Sequence, residues 1–154
     1  MKIEIKQYTK DLYNEVINLN LKKEDVNEVE KLSGKSVKEH LIEATDLYSD
    51  YILLIYYNNK VEGLFGVIPC IDDNKIGVGF FLTTDNIKHF KRDIVKYTRE
   101  GVEFFLKQFN IIFNYVPKNY TVSINWLAKN GAIFEEEEFD FNGEIFKRFY
   151  FTQY

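Results

Sequence analysis

With one cysteine, two prolines and one tryptophan, this sequence leaves out much of the chemistry by which small proteins build sites. A single thiol, Cys70, excludes an intrachain disulfide and any cysteine-rich zinc site. His40 and His89 are the only histidines, so no metal is expected. Cys70 follows Pro69 with no identifiable His or Asp partner, which leaves nucleophilic catalysis there without support. No run approaches the ~20 apolar residues of a membrane span. The opening Met1-Lys2-Ile3-Glu4-Ile5-Lys6 alternates charged and apolar residues where a signal peptide carries an apolar block. A cytosolic folding environment with no membrane partner is the expectation. An excess of basic charge is also missing: the net charge of −4 gives no global attraction to nucleic acid, although local basic clusters can still meet phosphate. No repeat or Pro/Gly/Ser linker divides the chain, so residues 1–154 are expected to form a single domain.

What the chain does have is rings. Fourteen Phe and eleven Tyr predict a core of few but extensive contacts. Residues 2 to 7 alternate at period two and predict a strand. Thr9 is placed to cap a helix reaching about Leu19. A second helix, from about Glu24 to Leu32, turns Val26 and Val29 inward and stops at Gly34. Ser36 and Glu39 form an S-x-x-E capping box opening a third. Three strands follow over 50–57, 61–68 and 75–83, separated by Asn58-Asn59-Lys60 and Asp72-Asp73-Asn74. Glycines 63, 66, 77 and 79 within them predict a bulge or a close approach to the backbone.

The period then changes. Phe90, Ile94, Tyr97, Gly101, Phe105 and Phe109 recur at three or four residues and predict a long helix from about Phe90 to Gln108. A strand at 111–116, a short helix around Ile124, Trp126 and Leu127 stopping at Gly131, and a hairpin turning at Asn142-Gly143 complete the order. The expected fold class is α/β (α+β): a mixed, mostly antiparallel sheet flanked by helices on both faces.

This element order resembles that of the GNAT acetyltransferase superfamily. The part from Phe80 onward is similar to something narrower, the small internal virion (core) proteins of podovirus-type phages that have a GNAT-like fold. The likeness rests on Phe81-Leu82-Thr83-Thr84-Asp85 leading into Lys91-Arg92 and on Phe113-Asn114-Tyr115-Val116. It continues through Ile124 with Trp126-Leu127, then Lys129-Asn130-Gly131-Ala132-Ile133-Phe134-Glu135-Glu136. In the first 79 residues only the element order matches, with Asp25-Val26-Asn27-Glu28-Val29 the most suggestive run.

The resemblance implies acetyl-CoA as cofactor, its pantetheine arm along the backbone of Phe81, Leu82 and Thr83 and its phosphates near Lys88, Lys91 and Arg92. A helix N-terminus attracts anions through its free N–H groups. Two family features are missing. The glycine-rich Q/R-x-x-G-x-G/A turn is replaced by Asn86-Ile87-Lys88-His89-Phe90-Lys91-Arg92-Asp93, and Leu127 stands where many active members place a general-acid tyrosine, with Tyr120 at the preceding Asn position. Asn119 takes that place only if the register slips.

Other candidates have plainer explanations. Lys88, His89, Lys91 and Arg92 form either a phosphate site or a solvated turn. His89 is read as structural before it is read as a base. Alternation puts Glu62 opposite Val61 and Gly63, facing a cleft or solvent, and an exposed strand carboxylate is the favoured reading. Glu135 to Glu138 cannot form a four-carboxylate cluster on an alternating strand, and a solvated edge explains them better. Tyr115, Tyr120 and Trp126 either line a cleft or pack in the core.

The expectation is therefore a phage-encoded GNAT-fold protein, virion-associated or structural, with acyltransferase activity reduced or absent. Its partners would be other virion proteins or a host protein, in the host cytoplasm or the virion. The alternatives are an active acetyl-CoA-dependent N-acyltransferase acting on a small amine or protein lysine, and a host-factor binding module on the same scaffold.

Overall fold

The computed structural model describes residues 2–153 and orders seven strands in one sheet, β1-β2-β3-β4-β5-β7-β6. The strands are β1 (Ile3–Gln7), β2 (Ile52–Tyr57), β3 (Lys60–Pro69), β4 (Ile76–Thr83), β5 (Ile111–Pro117), β6 (Ile133–Phe141) and β7 (Glu144–Thr152). Every neighbouring pair is antiparallel except β4 and β5, which run parallel. The parallel pairing follows from chain length. Between those two strands lies a helix long enough to carry the chain back across the sheet.

Helices α1 (Tyr13–Ile17), α2 (Lys23–Ser33) and α3 (Val37–Leu47) cover one face. Their Val16, Leu41 and Ala44 pack with Leu54, Leu64, Phe80 and Leu82 of the sheet. Helices α4 (Lys91–Leu106) and α5 (Thr121–Lys129) cover the other, where Val102, Phe105 and Leu106 meet Phe65, Val67, Ile112 and Phe149. Each such side chain, fully buried, stabilises the fold by about 1.5–3 kcal/mol. The sheet with helices on both faces is therefore present as expected.

Local signals explain most of the boundaries. Gly34 ends α2 in the left-handed conformation at φ 72°, and the Ser36 hydroxyl accepts the Glu39 N–H at 3.2 Å to open α3. Asn58 and Asn59 both take positive φ in the β2–β3 turn, as Asn142 and Gly143 do in the β6–β7 turn. The close approach expected at the β3 glycines is also found: a Cβ on Gly66 would lie 2.3 Å from the Phe80 ring.

One expectation needs correction. No single helix runs from Thr9 to Leu19; a 3-10 turn (Lys10–Leu12) precedes a five-residue α1. Thr9 bonds the Asp11 carboxylate and offers no side-chain cap to the backbone. The long helix starts within a residue of where it was expected, at Lys91 with Phe90 as its N-cap, and is preceded by a 3-10 turn over Asp85–His89 whose Ile87, with Phe90, is buried against Ile3, Ile55 and Ile94.

Candidate functional site

Strands β4 and β5 pair only over Ile76–Val78 and Ile111–Phe113. Beyond that point they part, and a cavity of about 170 Å³ occupies the gap. Backbone alternation decides which groups of β4 face it. Thr84 donates its N–H to the Glu62 carbonyl on β3, so Thr83 and Phe81 turn theirs the other way. At Thr83 both backbone groups are already taken. Its N–H donates to Asp25 Oδ2 at 2.9 Å, and its carbonyl accepts the Lys22 N–H at 2.9 Å. The Gly79 carbonyl accepts the Asn114 side-chain amide at 2.6 Å. Leu82 directs its backbone toward Leu64. Of the three residues expected to offer backbone to a pantetheine arm, Phe81 alone presents free groups in the gap.

On the α4/α5 side the cavity is lined by Phe81, Ile87, Lys91, Thr98 and Trp126. A buried polar latch sets the indole there: the Thr98 hydroxyl donates to Asn130 Oδ1 at 2.6 Å, and Asn130 Nδ2 donates to the Trp126 carbonyl at 2.9 Å. With α5 so held, the Trp126 ring lies 4.7 Å from that of Phe81. Tyr115 lines the cavity, and its half-buried ring packs on the half-buried Phe139 and Phe141. Tyr120 and Leu127 pack into the core below α5.

On the α2 side stand Lys22, Asp25 and Glu28. Asp25 is only 7% exposed, with Lys22 Nζ 3.7 Å away. Burial pushes its pKa up to about 6, although Lys22 and the Thr83 N–H pull the other way. Burial and the Asp25 charge together push Glu28 up to about 8. The same carboxylates, after burial, raise the Tyr120 hydroxyl. None of these carboxylates was picked out as a site residue from the sequence. The available signal was their three-residue spacing on a helix whose Val26 and Val29 face the core. What they would face could not be read from it.

Lys88, His89, Lys91 and Arg92 are all exposed around the start of α4. The N–H groups of Lys91, Arg92 and Asp93 have no partner among the described residues, and no side chain caps this helix. His89 is not packed as a structural histidine. That role falls to His40, whose ring meets Phe80 edge-on at 4.9 Å. Cys70 is partly exposed, and burial and then the Asp73 and Asp72 charges raise its thiol pKa, which opposes nucleophilic use.

Glu62 requires a correction, because it is 3% exposed and not a solvated strand carboxylate. Opposite it the register shifts: Ile55 pairs with Gly63 while Tyr56 pairs with Val61, leaving Glu62 as the extra residue of a bulge. Its exposure was expected from the usual preference of carboxylates for solvent, which does not hold at this bulge. The reading of Glu135 to Glu138 holds better. They lie on the edge strand β6 at a second irregularity, with Glu135 paired to Arg148 and Glu138 to Lys118.

Among the described residues no group of three or more His, Cys, Asp or Glu side chains is placed to hold a metal. Nor is any helix among them long and apolar enough to cross a membrane.

The sheet parts between β4 and β5, the two strands joined by the long helix α4. Comparison with solved structures finds the same fold. A spermidine N-acetyltransferase from Vibrio cholerae, solved with CoA and spermine, superposes with a TM-score of 0.68 over 98% of this chain and 95% of its own, at 14% identity. A GNAT-family acetyltransferase from Streptococcus pneumoniae gives 0.68 over 98% and 99%, at 12% identity. One from Bacillus cereus gives 0.63 over 100% and 99%, also at 12%. The fold is that of the GNAT acetyltransferases. No protein-family model matches the chain, and no curated protein sequence matches it.

Proposed function

We propose that this protein is an N-acyltransferase of low turnover that uses acetyl-CoA and accepts a cationic amine. The observation that carries the reading is the cavity between β4 and β5, which has the free peptide groups of Phe81 in its wall and the Asp25/Glu28 pair on the α2 side. Acyl transfer to an amine needs those two things on opposite sides of the acyl carbon: a support for the donor and a proton acceptor near neutral pKa for the amine.

The residues fit acetyl-CoA in part. Phe81 N–H and C=O suit the amides of a pantetheine arm. Lys91 and Arg92, with the uncapped N–H groups at the start of α4, suit its phosphates. The buried Ile87 and Phe90 occupy the place of a glycine turn, so side chains must supply the hold that backbone amides provide elsewhere. When bound, acetyl-CoA supplies an acyl group activated as a thioester. Asp25 and Glu28 attract the ammonium form of the acceptor, and the approaching positive charge favours ionised Glu28. The Glu28 carboxylate then takes a proton from that nitrogen. Leu127 offers no proton to a leaving thiolate, which is why turnover is low.

The test is release of free thiol from acetyl-CoA with a panel of small amines and lysine peptides. The expected result is a slow, amine-dependent rate that climbs as pH rises toward about 8 and falls by about 10²-fold or more in Glu28→Gln. A rate independent of added amine, or unchanged in that variant, contradicts the assignment of Glu28.

A second reading keeps the fold as a scaffold without chemistry, as a virion or host-factor binding protein of phage origin. The contact of Trp126 with Phe81 across the cavity favours it, since an inserted chain has to displace the indole. Failure of acetyl-CoA to bind would favour this second reading.

A further inference from the structure

We propose that the depression beside Glu62 is a second binding site, for a small organic cation carrying a primary ammonium group. The depression measures about 600 Å³ and lies between the end of α1, the β2–β3 turn and residues 84–86. It shares no lining residue with the cavity between β4 and β5, and the bridge between Leu21 and Thr84 stands at the junction of the two. The proposal does not rest on the acyltransferase reading.

Glu62 is the observation that points to a ligand. The bulge brings it to the same depression as Val61, and it is 3% exposed. One of its carboxylate oxygens accepts the Asn86 side-chain amide; the other has no protein partner among the described residues. No Lys, Arg or His of the described residues lies within ion-pair distance of it. A neutral amide offsets only part of the cost of burying a carboxylate, and a cation completes the offset.

The surroundings select the kind of cation. No metal-binding group of three side chains exists among the described residues, so a bare metal ion lacks a ligand set. Leu19 and Val61 give the depression an apolar wall suited to a methylene chain. The side-chain oxygens of Asn18 and Asn20 add acceptors for a group that has three N–H donors. Glu15 and Asp85 at the rim outweigh Lys60 in charge.

The test is calorimetric titration of the full chain with n-butylamine, which is charged at pH 7, against n-butanol as its neutral counterpart. Two variants probe the depression. Glu62→Gln removes the charge but keeps an oxygen for Asn86, and Leu19→Lys tethers an ammonium group in the depression without altering Glu62. Saturable binding of butylammonium but not butanol is expected. It should weaken about tenfold or more in each depression variant, and the depression's share of the binding should persist in Glu28→Gln, which removes only binding in the β4/β5 cavity. The proposal is overturned if no saturable binding occurs, if butanol binds equally, or if both depression variants bind as the parent does. It is overturned equally if Glu28→Gln abolishes all butylammonium binding, because the amine then occupies the β4/β5 cavity alone.

Discussion

A carboxyl group held at a pKa of about 8 in the folded chain, as Glu28 is, keeps a proton that the unfolded chain gives up at its ordinary value near 4.5. Its folded pKa is raised, so its contribution to stability is complete below 4.5 and is lost as pH rises through about 8. Asp25 acts in the same sense between 3.8 and about 6. His40 acts oppositely, because burial lowers its pKa. The stability of the neutral ring is present above 6.5 and declines as pH falls. The melting temperature of the parent should therefore drop between about pH 5 and 8, and Glu28→Gln should flatten that drop and be the more stable protein at pH 8. Parallel melting curves for the two proteins would show that Glu28 is not held protonated. Little of this residue-scale detail was legible in the sequence. Asp25 and Glu28 sit in the run Asp25-Val26-Asn27-Glu28-Val29, but only tertiary packing brings Thr83 to Asp25. Glu62 was misread because carboxylates ordinarily stay in solvent, and the bulge at which this one is buried leaves no compositional mark.

Among elements, the hairpins and capped helices were read nearly to the residue, because their signals are local. Asn58-Asn59 and Asn142-Gly143 supply positive φ, while Gly34 and Ser36 supply a stop and a start. Ser36→Ala should lower stability by about 0.5–2 kcal/mol in a denaturant titration, with no effect on ligand binding. Gly66→Ala should cost about 1–3 kcal/mol, because the Phe80 ring occupies the space a methyl group needs. Unchanged stability in Gly66→Ala would mean that the ring moves aside freely and that the β3–β4 contact is looser than described. The 3-10 turn ahead of α4 escaped reading for a non-local reason. Phe90 continues the helical period, yet it and Ile87 are drawn toward Ile3 and Ile55 on distant strands, and the chain tightens into a 3-10 turn to reach them.

The whole molecule was legible as a fold and less so as a function. Element order led to the mixed sheet with helices on both faces, while the parting of β4 from β5 is read from the structure. Whether the gap is a working cleft depends on how its walls are finished, and they combine opposed features. The free groups of Phe81, the basic start of α4 and the Asp25/Glu28 pair favour use. The contact of Trp126 with Phe81 resists entry. That tryptophan is the sole one in the chain and lines the gap, so its fluorescence reports on the cavity without a label. The most direct measurement of the account is a fluorescence titration with acetyl-CoA. A saturable change in Trp126 emission is predicted, with affinity reduced in a Lys91→Ala/Arg92→Ala double variant. Emission that stays constant up to millimolar acetyl-CoA, or a change identical in the double variant, would contradict it.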